Sequence, residues 1–448
     1  MKRFIDTLKN IWAIEELRGR ILTTLLLVLI YRFGSYVVLP GINPAALEGL
    51  GKSGSSGLLG LFNTFVGGSF SRASVFALGI MPYISASIAL QLLGMAIPYF
   101  QKLQKEGESG RRKINQYTRF ATILITAFQG MAYVTYLNSQ VGPNGILVPP
   151  TIFWLSTIVT LTAGTMFALW LGERITDKGI GNGVSILIMV GIMARFPTAI
   201  LTEIQARVAM GGGGLIMFLV EIIFLVAVIF FIILLVQGTR KIPIQYAKRI
   251  VGNKQYGGVR QYLPLKVNAA GVMPIIFAQA IMFVPSLLLQ LFPNNSLVLS
   301  FADYMSIPYN LLFGFLVVIF TYFYTALIVN PVQMADEMKR NGGFIPGVKP
   351  GKKTSEYIDA IISRITLPGS LFLALVAIMP AFARILNINS QFASFFGGTS
   401  ILIMVGTILD TLQQVESHLL SRHYDGLMKT GRIKGRQVAN AAIAVPQG

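Results

Sequence analysis

Ten long apolar segments, separated by shorter polar connections, run through this chain of 448 residues. Most approach the roughly 20 residues with which an α-helix crosses about 30 Å of hydrocarbon. The pattern predicts an all-α integral membrane protein with ten transmembrane helices. The segments cover approximately residues 21–38, 73–99, 117–137, 151–171, 184–200, 215–236, 269–291, 311–329, 367–386 and 399–420.

Lysine and arginine are concentrated in alternate connections. Most of the 37 lie in the N-terminus, the even-numbered connections and the C-terminus. Because cationic connections remain in the cytoplasm, we predict that both termini are cytoplasmic, as an even number of spans requires. A division near Gly211–Gly214 leaves five spans on each side with opposite topology. Such inverted halves, here residues 1–210 and 211–448, place a pathway at their interface.

The connection between the first two spans contains an apolar stretch too short to cross a bilayer, from Leu58 to Arg72. It leads directly into residues 73–99, which carry no charge and are long enough to span as one helix. Short elements persist at membrane depth only when protein surrounds them or when they line a cavity. We therefore predict a lid, a short half-helix over 58–72, followed by the wall of a passage.

One face of that wall changes from bulky apolar to polar side chains. Ile80, Ile84, Ser87 and Gln91 follow an i, i+4, i+7, i+11 pattern, so they share one side of a helix. Such a face suits the lining of a pathway. Ordinary packing between membrane helices explains the same spacing, since small and polar residues commonly hold such helices together.

Composition agrees with a membrane protein and excludes several kinds of chemistry. Hydrophobic residues make up 54% of the chain and charged residues 12%, whereas soluble domains carry about 25% charged residues. Zero cysteines and two histidines exclude disulfides, thiolate chemistry and histidine metal clusters. The stretch PGVKPGKKT has Pro346 where a phosphate-binding loop begins with glycine. We predict no enzyme activity and no cofactor.

Ionisable residues within the predicted spans are few, chiefly Arg32, Glu221 and Asp410. Such residues are candidates for function by default. Arg32 and Glu221 lie near span ends, where snorkelling or contacts within the bundle account for them, and Asp410 lies deeper. A small-solute secondary transporter, the alternative function, would carry more intramembrane acids than these.

Two long cytoplasmic connections hold much of the excess positive charge, which amounts to +19 over the chain. Residues 237–267 contain seven cations and no acid, and their alternating pattern, interrupted by glycine and asparagine, predicts a β-hairpin. Residues 330–366 are similarly basic. Topology alone does not require loops of this length. Protruding basic loops suit an anionic partner, either an acidic protein surface or RNA phosphates.

Several long motifs follow one another along the chain. They include LPGINPAAL at 39–47, VGGSFSRASVFALGIMPYISAS at 66–87, KEGESGRRKINQYTRF at 105–120, LPLKVNAAGVMPIIFA at 263–278 and FGGTSILIMVGTILD at 396–410. In order and spacing they resemble the SecY family, the central subunits of bacterial protein-translocation channels. The resemblance implies an hourglass-shaped channel that passes unfolded polypeptide across the cytoplasmic membrane of a bacterium. It also implies sideways release of apolar helices into lipid.

The resemblance assigns roles to individual positions. A constricting ring of apolar side chains would consist of Ile80, Ile84, Ile188, Ile276 and Ile403. A plug would fill the outer funnel, with Leu58, Phe62, Phe65, Gly67, Gly68, Ser69 and Arg72. A lateral gate would open between the second and third spans on one side and the seventh and eighth on the other. Its polar residues would be Ser85, Ser87, Gln91, Asn268 and Gln279.

The two basic loops match the family's docking sites for the SecA motor ATPase and for the ribosome. The expected contacts are Arg240, Lys241, Lys248, Arg249, Lys339, Arg340, Lys349, Lys352 and Lys353. The family usually has arginine at the position of Lys349, and lysine keeps the charge but loses the planar fork. The other partners implied are the membrane subunits SecE and SecG, signal peptides and nascent chains, and the lipid bilayer.

Overall fold

The computed structural model describes residues 12, 14–47, 63–141, 145–209, 214–246, 249–251, 254–256, 260–279, 281–282, 300–301, 306–386 and 388–429. Within them the fold is mainly helical. The helices are α1 (Glu15–Gly34), α2 (Met81–Ala96), α3 (Pro98–Lys105), α4 (Glu108–Val141), α5 (Pro150–Lys178), α6 (Gly183–Ala209), α7 (Gly214–Gln237), α8 (Ile307–Ile328), α9 (Pro331–Arg340), α10 (Lys352–Ile385), α11 (Ser390–Ala393) and α12 (Gly398–Lys429). Residues 273–279 are also helical. The strands are β1 (Thr239–Tyr246), β2 (Arg249–Val251), β3 (Lys254–Tyr256), β4 (Arg260–Lys266) and β5 (Gly343–Phe344).

Six of the described helices are long and apolar enough to cross a membrane. They are Glu108–Val141, Pro150–Lys178, Gly183–Ala209, Gly214–Gln237, Ile307–Arg340 (α8 together with α9) and Lys352–Arg384. A bent pair, Met81–Gly94 with Pro98–Gln104, would add a seventh. The predicted helical membrane protein with several spans is therefore confirmed. Predicted spans one and ten fall on α1 and α12, outside this set, and span seven is described only at 269–279 and 281–282. The count of ten and the division into inverted halves stay predictions.

The second predicted span differs from the continuous helix expected over 73–99. Its first residues form turns and bends, because Ala73 and Gly79 have φ angles of 46° and 55°, which a right-handed helix does not allow. The helix begins only at Met81. It ends before Pro98, since the residue that precedes a proline is driven into an extended conformation. The chain then bends by 103° into α3.

The two basic connections fold into one small unit instead of two separate loops. Strand β1 pairs antiparallel with β4, which confirms the predicted hairpin, and pairs on its other side with β5 from the second connection. One apolar cluster beneath the sheet includes residues of α9 and α10. Its buried members are Ile242, Ile244, Leu265, Met338, Ile345 and Ile358. The fold is therefore mainly helical, as predicted, with a small sheet formed by the two basic connections.

A buried ion network joins α6, α7 and the segment that precedes α11. Arg207 donates from Nε to Glu203 Oε1 at 2.9 Å and from Nη2 to Glu221 Oε1. The other Glu203 oxygen accepts a hydrogen bond from the backbone N–H of Asn389 at 3.0 Å. All three charged side chains are buried. Glu221 therefore lies inside the protein in an ion pair. Of the two explanations expected for a charge at this position, contacts within the bundle apply.

Replacing Arg207 by methionine would leave two buried carboxylates close together without a compensating cation. We expect Arg207→Met to lower the free energy of unfolding by about 3–5 kcal/mol, measured by denaturant unfolding of the purified protein in detergent micelles. The matched control is Arg112→Met, which removes an exposed pair with Glu108 and about 0.3–0.5 kcal/mol. Equal effects of the two substitutions would contradict this account of the network.

Candidate functional site

An apolar cluster brings together four of the five residues expected to form the ring. Ile188 of α6 and Ile403 of α12 are buried in it, and Ile84 of α2 and Ile276 of the 273–279 helix pack against it. The fifth, Ile80, is the residue just before α2 and belongs to a neighbouring cluster that Ile84 also contacts. A constriction lined by such side chains excludes water and ions, and it offers no hydrogen bonds to a passing chain.

The expected plug is described from residue 63, so Leu58 and Phe62 lie outside the described residues. Only residues 63–65 are helical, and the chain continues in turns through 72. Gly67 and Gly68 cause this change, because both have left-handed φ angles of 67° and 85° that favour glycine. The half-helix predicted over 58–72 is therefore confined to one turn within the described part. Phe65 is buried in the same apolar cluster as Ile188 and Ile403.

The plug meets α6 by a close approach of two backbones. A Cβ at Gly191 would lie 2.5 Å from the carbonyl oxygen of Phe65, and a Cβ at Gly67 would lie 2.9 Å from the Cα of Gly191. Real Cβ atoms do not make contacts this short, so only glycine fits at both positions. Sequence analysis identified Gly67 and missed Gly191, because a glycine within an apolar span carries no sign of what it faces.

Arg72, at the end of the plug, is hydrogen-bonded to the end of α1. It donates to the carbonyl oxygens of Gly67 at 2.9 Å and of Ser35 at 3.4 Å, and its guanidinium lies 4.4 Å from the ring centre of Tyr36. Burial lowers the pKa of Arg72 from its usual value, yet an arginine stays protonated in a protein. Ser69 is fully buried nearby, and its hydroxyl has no hydrogen-bond partner among the described residues.

A polar chain links α2 to α8 at the expected lateral gate. Gln91 donates to Ser87 Oγ at 3.3 Å, and Tyr324 of α8 donates to Gln91 Oε1 at 3.4 Å. Beside it, Ile88, Phe277 and Tyr324 are buried in one apolar cluster. Tyr324 was missed from the sequence, because its ring reads as an ordinary apolar position of a span.

The other expected gate residues make contacts within their own segments. Ser85 donates to the carbonyl oxygen of Met81 one turn earlier. Asn268 donates to the carbonyl oxygen of Gly271 at 3.1 Å, and its own Oδ1 is buried without a partner in the described part of the chain. Gln279 is partly buried at the end of the 273–279 helix. Of the five expected gate polars, the structure joins Ser87 and Gln91 to the opposite wall.

Seven of the nine expected docking cations lie on one surface unit. Arg240 and Lys241 are exposed on β1. Exposed side chains of the second basic connection follow on α9, the turn after β5 and the start of α10: Lys339, Arg340, Lys349, Lys352 and Lys353. Lys353 pairs with Glu356 at 2.9 Å. Lys248 lies outside the described residues, and Arg249 is described only as part of β2.

The remaining ionisable candidates are scattered. Arg32 is partly buried in the last turn of α1, and Asp410 is exposed on α12. Among the described residues, no group of three or more His, Cys, Asp or Glu could hold a metal ion. The described arrangement thus consists of an apolar cluster that holds four expected ring residues, a glycine-rich segment packed against it, and a helix seam with a few polar contacts.

A sequence comparison decides which family has this arrangement. The SecY family profile matches residues 74–412. A relative from Aquifex aeolicus (strain VF5), the protein translocase subunit SecY, is 44% identical over 431 residues, covering 95% of this chain and 99% of the relative. This chain belongs to the SecY family. These relatives give no support to the alternative of a small-solute transporter.

Two solved structures with the same fold agree with this membership. One concerns the plug domain of a SecY protein, which stabilises the closed state of the translocation channel and maintains a membrane seal. It matches with a TM-score of 0.60 and 16% identity, over 92% of this chain and 95% of that one. The other is Sec61 in the canine ribosome–channel complex from the endoplasmic reticulum, with a TM-score of 0.57 and 14% identity over the same shares.

The hydroxyl of Tyr324 can be removed without changing the apolar packing. Tyr324→Phe should weaken the closed gate by about 1 kcal/mol. Since a central leucine contributes about 0.5 kcal/mol to membrane insertion, the hydrophobicity threshold for lateral release should fall by about two leucines. The measurement is the fraction of test segments inserted as their leucine content increases. Gln91→Leu and Gln279→Leu should also shift this threshold.

The matched control for the gate is Tyr322→Phe, which removes an exposed hydroxyl that bonds the carbonyl oxygen of Ser363 away from the gate. Its threshold should equal that of the unmodified protein. A threshold in Tyr324→Phe that matches the control would count against a gate role for the Tyr324–Gln91 contact.

Proposed function

We propose that this chain conducts unfolded polypeptides across the cytoplasmic membrane of a bacterium and releases sufficiently apolar segments sideways into lipid. Protein translocation follows from membership of the SecY family, whose Aquifex relative is named a protein translocase subunit. The observation that carries the finer proposal is the packing of Phe65 and Gly67 against Gly191, next to the cluster that holds Ile188 and Ile403.

In this proposal the pathway is closed by two barriers in series. The ring, Ile80, Ile84, Ile188, Ile276 and Ile403, excludes water because a narrow apolar constriction dewets. The plug covers it on the outer side. Apolar side chains and backbone contacts hold the plug, together with a few hydrogen bonds of Arg72. These contacts are individually weak, so an entering polypeptide can displace the segment.

Lateral release depends on whether an apolar segment has a lower free energy in lipid than in the pathway behind the gate. An apolar segment in the pathway gains a fraction of a kcal/mol for each central leucine or isoleucine that enters lipid. Among the described residues, the gate is held by the Ser87–Gln91–Tyr324 contacts and by the apolar cluster that includes Ile88 and Phe277. A sufficiently apolar segment therefore replaces the seam, and a polar one passes through.

We assign partner docking to the basic surface unit formed by β1, β5, α9 and the start of α10. Its cations Arg240, Lys241, Arg340 and Lys349 are exposed, and both basic connections contribute to it. A single rigid platform suits a large anionic partner, either the SecA motor ATPase or ribosomal RNA, and the Sec61 neighbour was solved on a ribosome. We further propose cytoplasmic termini and association with SecE and SecG.

Sealing by the plug is tested by ion conductance in planar bilayers. Gly191→Ala would put a methyl group 2.5 Å from the Phe65 carbonyl. Overpacking of this kind costs about 1–3 kcal/mol, so the ratio of open to closed channels should rise about 5- to 150-fold. A chain that lacks residues 58–72 should also open intermittently, whereas the intact chain should stay sealed.

The matched control is Gly130→Ala on α4, where a Cβ would meet nothing closer than 3.6 Å, and it should stay sealed. If the deletion seals like the intact chain, the ring alone forms the barrier and the plug proposal fails. Steady conductance of one selected ion by the intact chain would contradict the protein-channel proposal itself.

Docking is tested by ribosome binding at several salt concentrations. Replacing Arg240 and Lys241 by glutamine should weaken binding and reduce the salt dependence by about one unit of slope for each cation removed, as expected when phosphate contacts are lost. The control is Lys266→Gln on β4, an exposed cation of the same sheet that we do not assign to docking. An unchanged slope in the double variant would show that these cations are not ribosome contacts.

A further inference from the structure

Two arginines from separate elements approach the glycine turn of the plug, and a third lies on the face of α6 that contacts this turn. A Cβ at Gly67 would lie 2.8 Å from Nη1 of Arg32 in α1, and a Cβ at Gly68 would lie 3.0 Å from Nη1 of Arg72. Gly67 also touches Gly191 of α6, and Arg195 lies one turn further along the same face of that helix.

The side chain of Tyr36 lies within this cluster and organises two of its cations. The guanidinium carbons of Arg32 and Arg72 are 5.5 Å and 4.4 Å from its ring centre. Arg32 also donates from Nη2 to the hydroxyl of Tyr36 at 3.4 Å. Stacking on an aromatic face fixes the plane of a guanidinium, so these donors are held in position before any ligand arrives.

The cluster contains donors without acceptors and cations without a counter-ion. Nη1 of Arg32 is buried and has no hydrogen-bond partner among the described residues. Within the same described set, none of Arg32, Arg72 and Arg195 forms an ion pair with an acid. All three are partly buried, so water screens their repulsion incompletely. Partly buried charges of one sign require compensation from elsewhere.

We propose that Arg32, Arg72 and Arg195 bind an oxyanion of the phosphate class beside the plug. Guanidinium groups present paired N–H donors that match the oxygens of phosphate. The unpartnered Nη1 of Arg32 would donate to the anion, and the anion would neutralise the repulsion between Arg72 and Arg195. One anion would then connect α1, the plug and α6.

The phosphate group can belong to a lipid headgroup or to a free ion, and the experiment distinguishes them. Amide hydrogen exchange of peptides from residues 63–80 is measured on the purified full chain in two series. The first titrates inorganic phosphate against gluconate at constant ionic strength in detergent. The second compares nanodiscs of phosphatidylcholine with nanodiscs that also contain phosphatidylglycerol. Binding should slow exchange in this segment saturably in at least one series.

Arg195→Gln should raise the midpoint of that effect about tenfold or more, since it removes one charge-assisted contact. Arg195→Lys keeps the charge without the fork and should give an intermediate midpoint, which also controls for folding. Arg384→Gln, at the end of α10 and outside the cluster, should behave like the unmodified chain.

Slowing only by phosphatidylglycerol identifies a lipid headgroup, and slowing by free phosphate identifies a soluble ion. No slowing in either series, or equal midpoints for the unmodified chain and Arg195→Gln, would overturn the proposal.

Discussion

A polypeptide in a hydrocarbon core finds no water for its N–H and C=O groups, so every backbone group must be satisfied within the protein. Helices meet this requirement by themselves, but the irregular stretch between α1 and α2 does not. Some of its groups pair within the stretch: Leu39 N–H donates to Ala73 O at 2.8 Å and Val75 N–H donates to Val37 O at 2.9 Å. A neighbouring helix supplies another donor, the Tyr133 hydroxyl of α4, which donates to Phe70 O at 2.7 Å. The described part of the stretch that contains the plug is therefore held by hydrogen bonds within itself and by a contact with α4.

The contacts of the plug differ in kind from those that hold the helices around it. Phe65 packs by apolar contact and Gly67 by close backbone approach to Gly191. Breaking such contacts one by one costs little free energy at each step. The Glu203–Arg207–Glu221 network is buried and charged, and breaking it leaves uncompensated charge in a low-dielectric interior. The same helix, α6, thus takes part in a rigid connection near its end and in a replaceable contact at Gly191.

The basic surface unit also depends on contacts between segments that lie far apart in the chain. Each of its two connections would be a flexible loop if it stood alone, because a two-stranded hairpin is marginally stable in water. Strand β5 and the cluster around Ile242, Met338 and Ile358 join them. The segments that bear the cations are thereby joined into one unit, which suits recognition of a large partner by charge.

The sequence by itself determined the properties that depend on composition and order along the chain. Runs of apolar residues predicted spanning helices, because length and hydropathy decide whether a segment enters lipid. Alternation predicted the hairpin, and unusually long motifs predicted the family.

Tertiary structure alone decided which groups meet across segments. Gly191 against the plug, Tyr324 against Gln91 and Arg207 between two glutamates all join positions far apart in the chain or hidden within uniform apolar or helical patterns. Local pattern carries no information about such partners. Likewise, the turns at Ala73 and Gly79 delay the start of α2 to Met81, so hydropathy alone extended that span too far.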